Sequence, residues 1–80
     1  MPSIKYELLV GIHELGTVNQ PKDLQPYAAN GVHSIIHVLW RLQKQGLISM
    51  TERKVEGRPH IPTRIQLTEA GLAALKENRP

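Results

Sequence analysis

Among the 80 residues of the chain there is no cysteine and no phenylalanine. Without cysteine there can be no disulfide framework and no thiolate zinc site, so the fold must be stabilised by a compact core of leucine, isoleucine and valine. Long apolar runs are missing as well. The most apolar stretch, residues 34–42, is interrupted by His37 and Arg41 and is much shorter than the roughly 18 residues that a membrane span needs. We therefore expect no membrane-spanning segment.

The N-terminal residues lack the features of a secretory signal. Glu7 stands where such a signal would have its apolar segment, and no small-residue cleavage site accompanies it. These features predict a cytoplasmic protein. Because the chain is short, we also expect residues 1–80 to form a single domain.

Patterns typical of catalysis are absent too. The sequence has no glycine-rich phosphate loop, no cysteine nucleophile and no pair of carboxylates with an acid-base partner. His33 and His37 have a spacing that zinc can use, but no carboxylate or thiol lies near them in sequence. The sequence therefore predicts a protein that is not an enzyme, with no metal, no cofactor and no inferred small-molecule ligand.

The charge that is present is concentrated in the middle of the chain. The net charge is +3, and residues 33–67 contribute an excess of positive charge, while residues 1–32 are slightly acidic and the remainder is neutral. The central segment contains six basic and two acidic residues: Arg41, Lys44, Arg53, Lys54, Arg58 and Arg64, with Glu52 and Glu56. A region with this excess of positive charge attracts nucleic acid or an acidic protein surface.

Apolar spacing predicts two helices in the first third of the chain. The first covers residues 3–15 and ends at Gly16, and the second is a helix of at most two turns that begins at Pro21 and is anchored by Leu24. Residues 17–19 between them are long enough only for a linker or a short edge strand. The apolar side of the first helix is formed by Ile4, Leu8, Gly11, Ile12 and Leu15.

The clearest helical pattern covers residues 33–45 and ends at Gly46. Its apolar stripe consists of Ile35, Val38, Leu39 and Leu42. The opposite side has no acidic residue and consists of His33, His37, Trp40 and Lys44, with Ser34, Ile36 and Arg41 beside them. This pattern predicts a helix with a buried face and a basic, aromatic outer face.

A hairpin and a last helix are predicted to follow. Residues 47–51 and 63–67 are typical of strands, and the intervening residues contain glycine, two prolines and several cations, as in a long basic loop. Thr68 can cap a helix that runs from residue 69 to about residue 78, and its Leu72 and Leu75 are expected to return to the core.

Three motifs in this part of the chain carry a family resemblance. They are Leu39-x-x-Leu42-x-x-x-Gly46-Leu47-Ile48, the hairpin sequence Gly57-Arg58-Pro59, and Leu67-Thr68-Glu69-Ala70-Gly71-Leu72. In this order they resemble the winged helix-turn-helix domain of bacterial and phage regulators, in particular the MarR and PadR families, over about residues 11–75. The resemblance implies an α+β winged helix-turn-helix fold with three helices, a two-stranded wing hairpin and a C-terminal helix. It also implies a DNA-binding transcription factor.

With this fold, the helix of residues 33–45 would lie in the major groove of double-stranded DNA and the wing of residues 52–64 on the backbone or in the minor groove. Base edges require hydrogen-bonding side chains near the start of the helix, and His33, Ser34 and His37 provide them. Phosphates require cations, and those available are Arg41 and Lys44 on the helix and Arg53, Lys54, Arg58 and Arg64 on the wing.

Four other residues are candidates for protein contacts. Trp40 could lie over the wing, donate its indole N–H to a phosphate, or anchor a protein partner. Tyr6 and Val10 face away from the apolar stripe of the first helix. We favour their being covered by the rest of the domain, but they could instead contact a second copy, as could Leu72. Because the long dimerisation helices of the MarR and PadR families have no counterpart here, we expect a weak homodimer that is stabilised on a pseudo-palindromic DNA site.

The alternative function is a winged-helix module that binds protein. As an adaptor or inhibitor, it would use the same basic surface against an acidic partner, without sequence-specific binding of DNA. Salt-sensitive retention of DNA with a sequence preference distinguishes the two functions.

Overall fold

The computed structural model describes residues 4–28, 31–53, 56–57 and 61–77. Helix α1, Ile4–Leu15, is followed by a 3₁₀ turn, Pro21–Leu24, that continues into the short helix α2, Gln25–Ala28. Helix α3 is Val32–Lys44, the strands are β1, Ile48–Arg53, and β2, Ile61–Leu67, and helix α4 is Glu69–Glu77. The predicted α+β layout of three helices, a hairpin and a C-terminal helix is confirmed, and no helix among these residues is long and apolar enough to cross a membrane.

The two strands pair in antiparallel fashion and are longer than the sequence predicted. Residues 52–53 and 61–62 were expected in the loop but lie in strands, because the pairing continues beyond the apolar residues that made the strands recognisable. The short segment after α1 forms a single bridge from Val18 to Ile65, as an edge strand would. The paired residues of the hairpin are Ile48 with Leu67, Ser49 with Gln66, Thr51 with Thr63, Glu52 with Pro62 and Arg53 with Ile61.

One apolar core joins all the elements. Its residues include Ile35, Leu39 and Leu42 of the predicted stripe of α3, whereas Val38 is half-buried and packs against the core. No polar or charged residue is buried among the residues that the structure describes. Gly11 allows α1 to approach α2, because a Cβ at this position would come within 2.8 Å of Cγ of Tyr27. The core consists of Leu8, Leu9, Ile12, Val18, Leu24, Ala28, Ile35, Leu39, Leu42, Ile48, Met50, Ile65 and Leu75.

Two leucines that the sequence placed in the core are exposed. Leu15 is 46% exposed, because it is the last residue of α1 and borders an open groove with Val18 and Pro26. Leu72 is 37% exposed, because α4 turns Gly71 and Leu75 inward instead. Leu72 is rotated by about 100° from Gly71 around the axis of α4, so its side chain lies at the edge of the buried face of this helix.

The end of α3 and the start of α4 are joined by backbone groups. Gly46 has φ of +78°, and the N–H groups of Gly46 and Leu47 donate to the carbonyls of Gln43 and Leu42, which is a Schellman ending. Thr68 Oγ1 accepts a hydrogen bond from the N–H of Gly71 at 3.1 Å and donates one to the carbonyl of Gly46 at 2.6 Å. The predicted helix cap at Thr68 is therefore confirmed, and it also fixes α4 to α3.

Gly71 is the contact point of this junction. A Cβ on Gly71 would overlap the carbonyl oxygen of Leu47 and lie 3.1 Å from its carbonyl carbon. The same carbonyl accepts the N–H of Thr68 at 3.1 Å. Two of the three sequence motifs that carry the family resemblance, the one around residue 46 and the one around residue 68, are thus in direct contact.

Candidate nucleic-acid interface

Helix α3 has a fully buried side and an exposed side. Ile35, Leu39 and Leu42 are at most 1% exposed and fix the helix to the core. The exposed side is a strip along the whole helix, which we call the reading strip, and it consists of His33, Ser34, His37, Arg41 and Lys44. All five are among the residues predicted from the sequence to contact DNA. Helix α3 contains no acidic side chain.

A third, half-buried flank of α3 lies between these two sides. It consists of Val32, Ile36, Trp40 and Gln43, and the amide of Gln43 donates a long hydrogen bond of 3.4 Å to the carbonyl of Met50 in β1. The sequence placed Trp40 on the outward face, whereas in the structure it is half-buried and packs against the core. Gln43 on the same flank is bonded to β1, and both strands of the hairpin contact α3, so this flank of the helix is partly covered.

The opposite flank of the reading strip borders a shallow open groove of about 540 Å³ between α3 and the start of α1. Ile4 lines the α1 side of this groove, and Val38 lines the α3 side together with residues of the reading strip. The sequence does not predict this groove, since it arises from the packing of two helices whose lining residues are nearly 30 positions apart. No local periodicity could have revealed it.

The hairpin places its predicted cations in different situations. Arg64 is exposed on β2. Arg53 pairs through its backbone with Ile61, but its side chain lies outside the described part of the structure, as do Lys54 and Arg58. Of the four predicted cations of the wing, the structure therefore locates the side chain of Arg64.

The predicted protein-contact residues also differ in accessibility. Tyr6 and Val10 are half-buried and pack against the core, as we favoured, whereas Leu72 is partly exposed on α4. His33 and His37 lie together on the reading strip. Within the described residues, no group of three or more histidine, aspartate or glutamate side chains could hold a metal ion.

Among the described residues, Tyr27 has a perturbed pKa, and it lies away from the reading strip, where α1 meets α2. Burial raises the pKa of Tyr27 above its ordinary value of 10.0, and a hydrogen bond to Glu14 and the negative charge of that carboxylate raise it further. The neutral tyrosine is therefore the form that the fold favours, and it ties α2 to α1.

Comparison with known proteins identifies the fold. No protein-family model matches the sequence, and no curated protein is significantly similar to it. Among solved structures, a probable transcriptional regulator from Pseudomonas aeruginosa has 28% sequence identity and a TM-score of 0.70, with 96% of this chain and 55% of that chain covered. A MarR family protein from Bacillus stearothermophilus has 18% identity and a TM-score of 0.72, with 96% of this chain and 50% of that chain covered.

The present chain thus spans about half the length of these two regulators. Stf76 from the Sulfolobus islandicus plasmid-virus pSSVx is of matching length: 94% of this chain and 95% of that chain are covered, at 21% identity and a TM-score of 0.62. The resemblance to the PadR family stays a prediction. The chain is a winged helix-turn-helix domain that resembles the MarR-type transcriptional regulators.

Proposed function

We propose that the chain binds double-stranded DNA and acts as a transcriptional regulator, with α3 in the major groove and the β1–β2 hairpin against the adjacent backbone or minor groove. The observation that carries the proposal is the acid-free, exposed reading strip on α3, next to a hairpin that belongs to a basic segment of the chain. Structural likeness to MarR-type regulators supports it. The neighbours are transcriptional regulators, which supports a binding function. We propose that the protein acts in the cytoplasm and is not an enzyme, and that it needs no cofactor and no small-molecule ligand.

The dimensions of the reading strip suit a groove. From His33 to Lys44 it covers about 16 Å of helix axis at about 1.5 Å per residue, which corresponds to roughly five base pairs at about 3.4 Å each. His33, Ser34 and His37 occupy the first half of the helix, which in helix-turn-helix proteins meets base edges. Arg41 and Lys44 occupy the second half, where they would contact phosphates.

Salt dependence of binding tests this proposal. If the domain neutralises about four to six phosphates, the logarithm of the binding constant falls against that of the salt concentration with a slope of about −4 to −5. Trp40 is the only tryptophan, so its fluorescence can follow the titration without a label. A slope near zero, or no binding of any duplex at low salt, would remove the proposal and favour the protein-binding adaptor or inhibitor.

Two classes of substitution distinguish residues that contact bases from residues that contact phosphates. The experiment begins with the selection of a preferred duplex from a random library. Ser34→Ala and His37→Ala should reduce the preference for the selected duplex, because these side chains are placed to meet bases. Arg53→Ala and Lys54→Ala should weaken binding to selected and random duplexes alike. Equal losses on both duplexes for all four variants would show that α3 is not the reading helix.

We also propose that two copies bind together on a pseudo-palindromic site, since a single module has a small footprint of roughly 600–1,000 Å². Leu72 and Ala73 of α4 are exposed and suit such a contact better than Tyr6 and Val10, which pack against the core. Sedimentation of the complex measures the number of chains per duplex. One chain per duplex at saturation, on a site without an inverted repeat, contradicts pairing.

A further inference from the structure

The pairing of β1 and β2 is interrupted by a bulge at Arg64. Between two regular pairs of the hairpin, β1 contributes one residue, Met50, and β2 contributes two, Arg64 and Ile65. Ile65 is fully buried, whereas Arg64 is exposed. The extra residue of the bulge is therefore the one that presents a guanidinium to solvent, and bulges are known to redirect side chains in this manner.

The backbone of Arg64 is in the left-handed region, with φ of +50°. This conformation is unfavourable for any residue with a Cβ, and among the described residues every other positive φ belongs to a glycine, namely Gly16, Gly46 and Gly57. Glycine is thus the residue this chain uses elsewhere for such a conformation. Arg64 is the exception, and unfavourable backbone conformations of this kind cluster at functional sites.

Hydrogen bonds on both sides hold Arg64 in place. The N–H and C=O groups of Ile65 bond to Val18 at 2.8 and 2.9 Å, and the hydroxyl of Thr63 donates to the carbonyl of Asn19 at 3.0 Å. Residues 18–19 lead directly into the 3₁₀ turn that begins the helix-turn-helix. The residues on both sides of Arg64 are therefore tied to the segment that leads into the helix-turn-helix unit.

The guanidinium of Arg64 makes no ion pair with any of the residues that the structure describes. Its planar set of donors matches two oxygens of a phosphodiester, which a lysine ammonium does not. We infer that Arg64, held in the left-handed conformation at the bulge, binds a backbone phosphate of the duplex and anchors the base of the wing. This inference rests on the proposed function and names a residue held by backbone bonds of its neighbours to residues 18–19.

A set of three variants tests the inference. Arg64→Gly removes the guanidinium and allows the left-handed backbone conformation without a Cβ. Arg64→Lys keeps the positive charge but lacks the planar donors of the guanidinium. Lys76→Ala removes an exposed cation from α4 and is the matched control. For each, thermal unfolding is followed by circular dichroism, and binding is measured against salt on a selected duplex and a random duplex.

We expect the Tm of Arg64→Gly to rise by about 4 °C or more, since the left-handed conformation then carries no Cβ penalty. Its affinity should fall about threefold to tenfold on both duplexes, with a salt slope smaller in magnitude by about 0.9, the contribution of one phosphate. Arg64→Lys should keep the wild-type slope with an intermediate affinity. Lys76→Ala should bind like the wild type.

Each other outcome has a distinct meaning. If Arg64→Gly binds as tightly as Lys76→Ala, the anchoring role is wrong while DNA binding stands. If Arg64→Gly lowers the Tm, arginine stabilises the fold at this position. The left-handed conformation then needs no functional explanation, and the inference is overturned. If the wild-type chain itself shows no salt-dependent binding, both the proposed function and this inference fail.

Discussion

Replacing Gly71 with alanine should destabilise the fold far more than the loss of one hydrogen atom suggests. The new methyl group would overlap the carbonyl oxygen of Leu47 and would also lie 3.3 Å from Cδ2 of Leu67. The carbonyl cannot move freely, because it accepts the N–H of Thr68 while the N–H of Leu47 bonds to Leu42. Either α4 must shift away from the hairpin, or the Schellman ending of α3 must open.

The size of the effect follows from three contributions. Overpacking of a well-packed site costs about 1–3 kcal/mol. The two backbone hydrogen bonds of Leu47 that are lost if the junction opens, one to Thr68 and one to Leu42, cost about 1 kcal/mol each. The better helix propensity of alanine offsets about 1 kcal/mol. The net destabilisation is therefore about 2–4 kcal/mol, which for a domain of this size lowers the Tm by at least about 8 °C.

Thermal and denaturant unfolding, followed by circular dichroism and by the fluorescence of Trp40, measure this change. Ala73→Gly at an exposed position of the same helix is the matched control, because it reports the propensity difference of about 1 kcal/mol without any contact at the junction. If Gly71→Ala unfolds within about 2 °C of the wild type, a Cβ fits between α4 and Leu47. The described junction is then wrong.

Two further predictions concern other contacts of the fold. Thr68→Ala should lower the free energy of unfolding, measured with denaturant, by about 1–2 kcal/mol, because it removes the cap of α4 and the bond to the carbonyl of Gly46. Thr68→Ser keeps the hydroxyl and should lower it much less. Equal losses in both variants would contradict the role of the hydroxyl. For Tyr27, the folded pKa lies above the unfolded value, so its contribution to stability is present below pH 10 and is lost as the pH rises through the folded pKa. The Tm of the wild type should therefore fall more steeply above pH 10 than that of Tyr27→Phe, and parallel curves would refute the assignment.

The helices and the reading strip could be predicted from the sequence because both depend on local periodicity. The apolar spacing around Leu39, the glycine stop at Gly46 and the threonine cap at Thr68 are signals contained within a few residues. They located α3 and α4 to within one or two residues. The exposure of His33 and His37 then followed from the wheel of α3.

The remaining features depend on contacts between distant segments. The burial of Gly71 in place of Leu72 is decided by the carbonyl that α4 must approach, which no pattern within α4 reveals. The left-handed conformation at Arg64 has no local signal either, since glycine or asparagine normally marks such a site. The groove beside the reading strip exists only because Ile4 is brought to α3 by the packing of α1.

The separation of the two sides of α3 has a consequence for how recognition can change. Ile35, Leu39 and Leu42 hold the helix in place, whereas Ser34 and His37 are exposed. Substitutions at such exposed positions usually change stability by less than about 0.5 kcal/mol. The exposed positions can therefore be randomised together in a library while the fold stays intact. Under the proposed function, single substitutions on this side of α3 would change the preferred DNA sequence without a loss of stability.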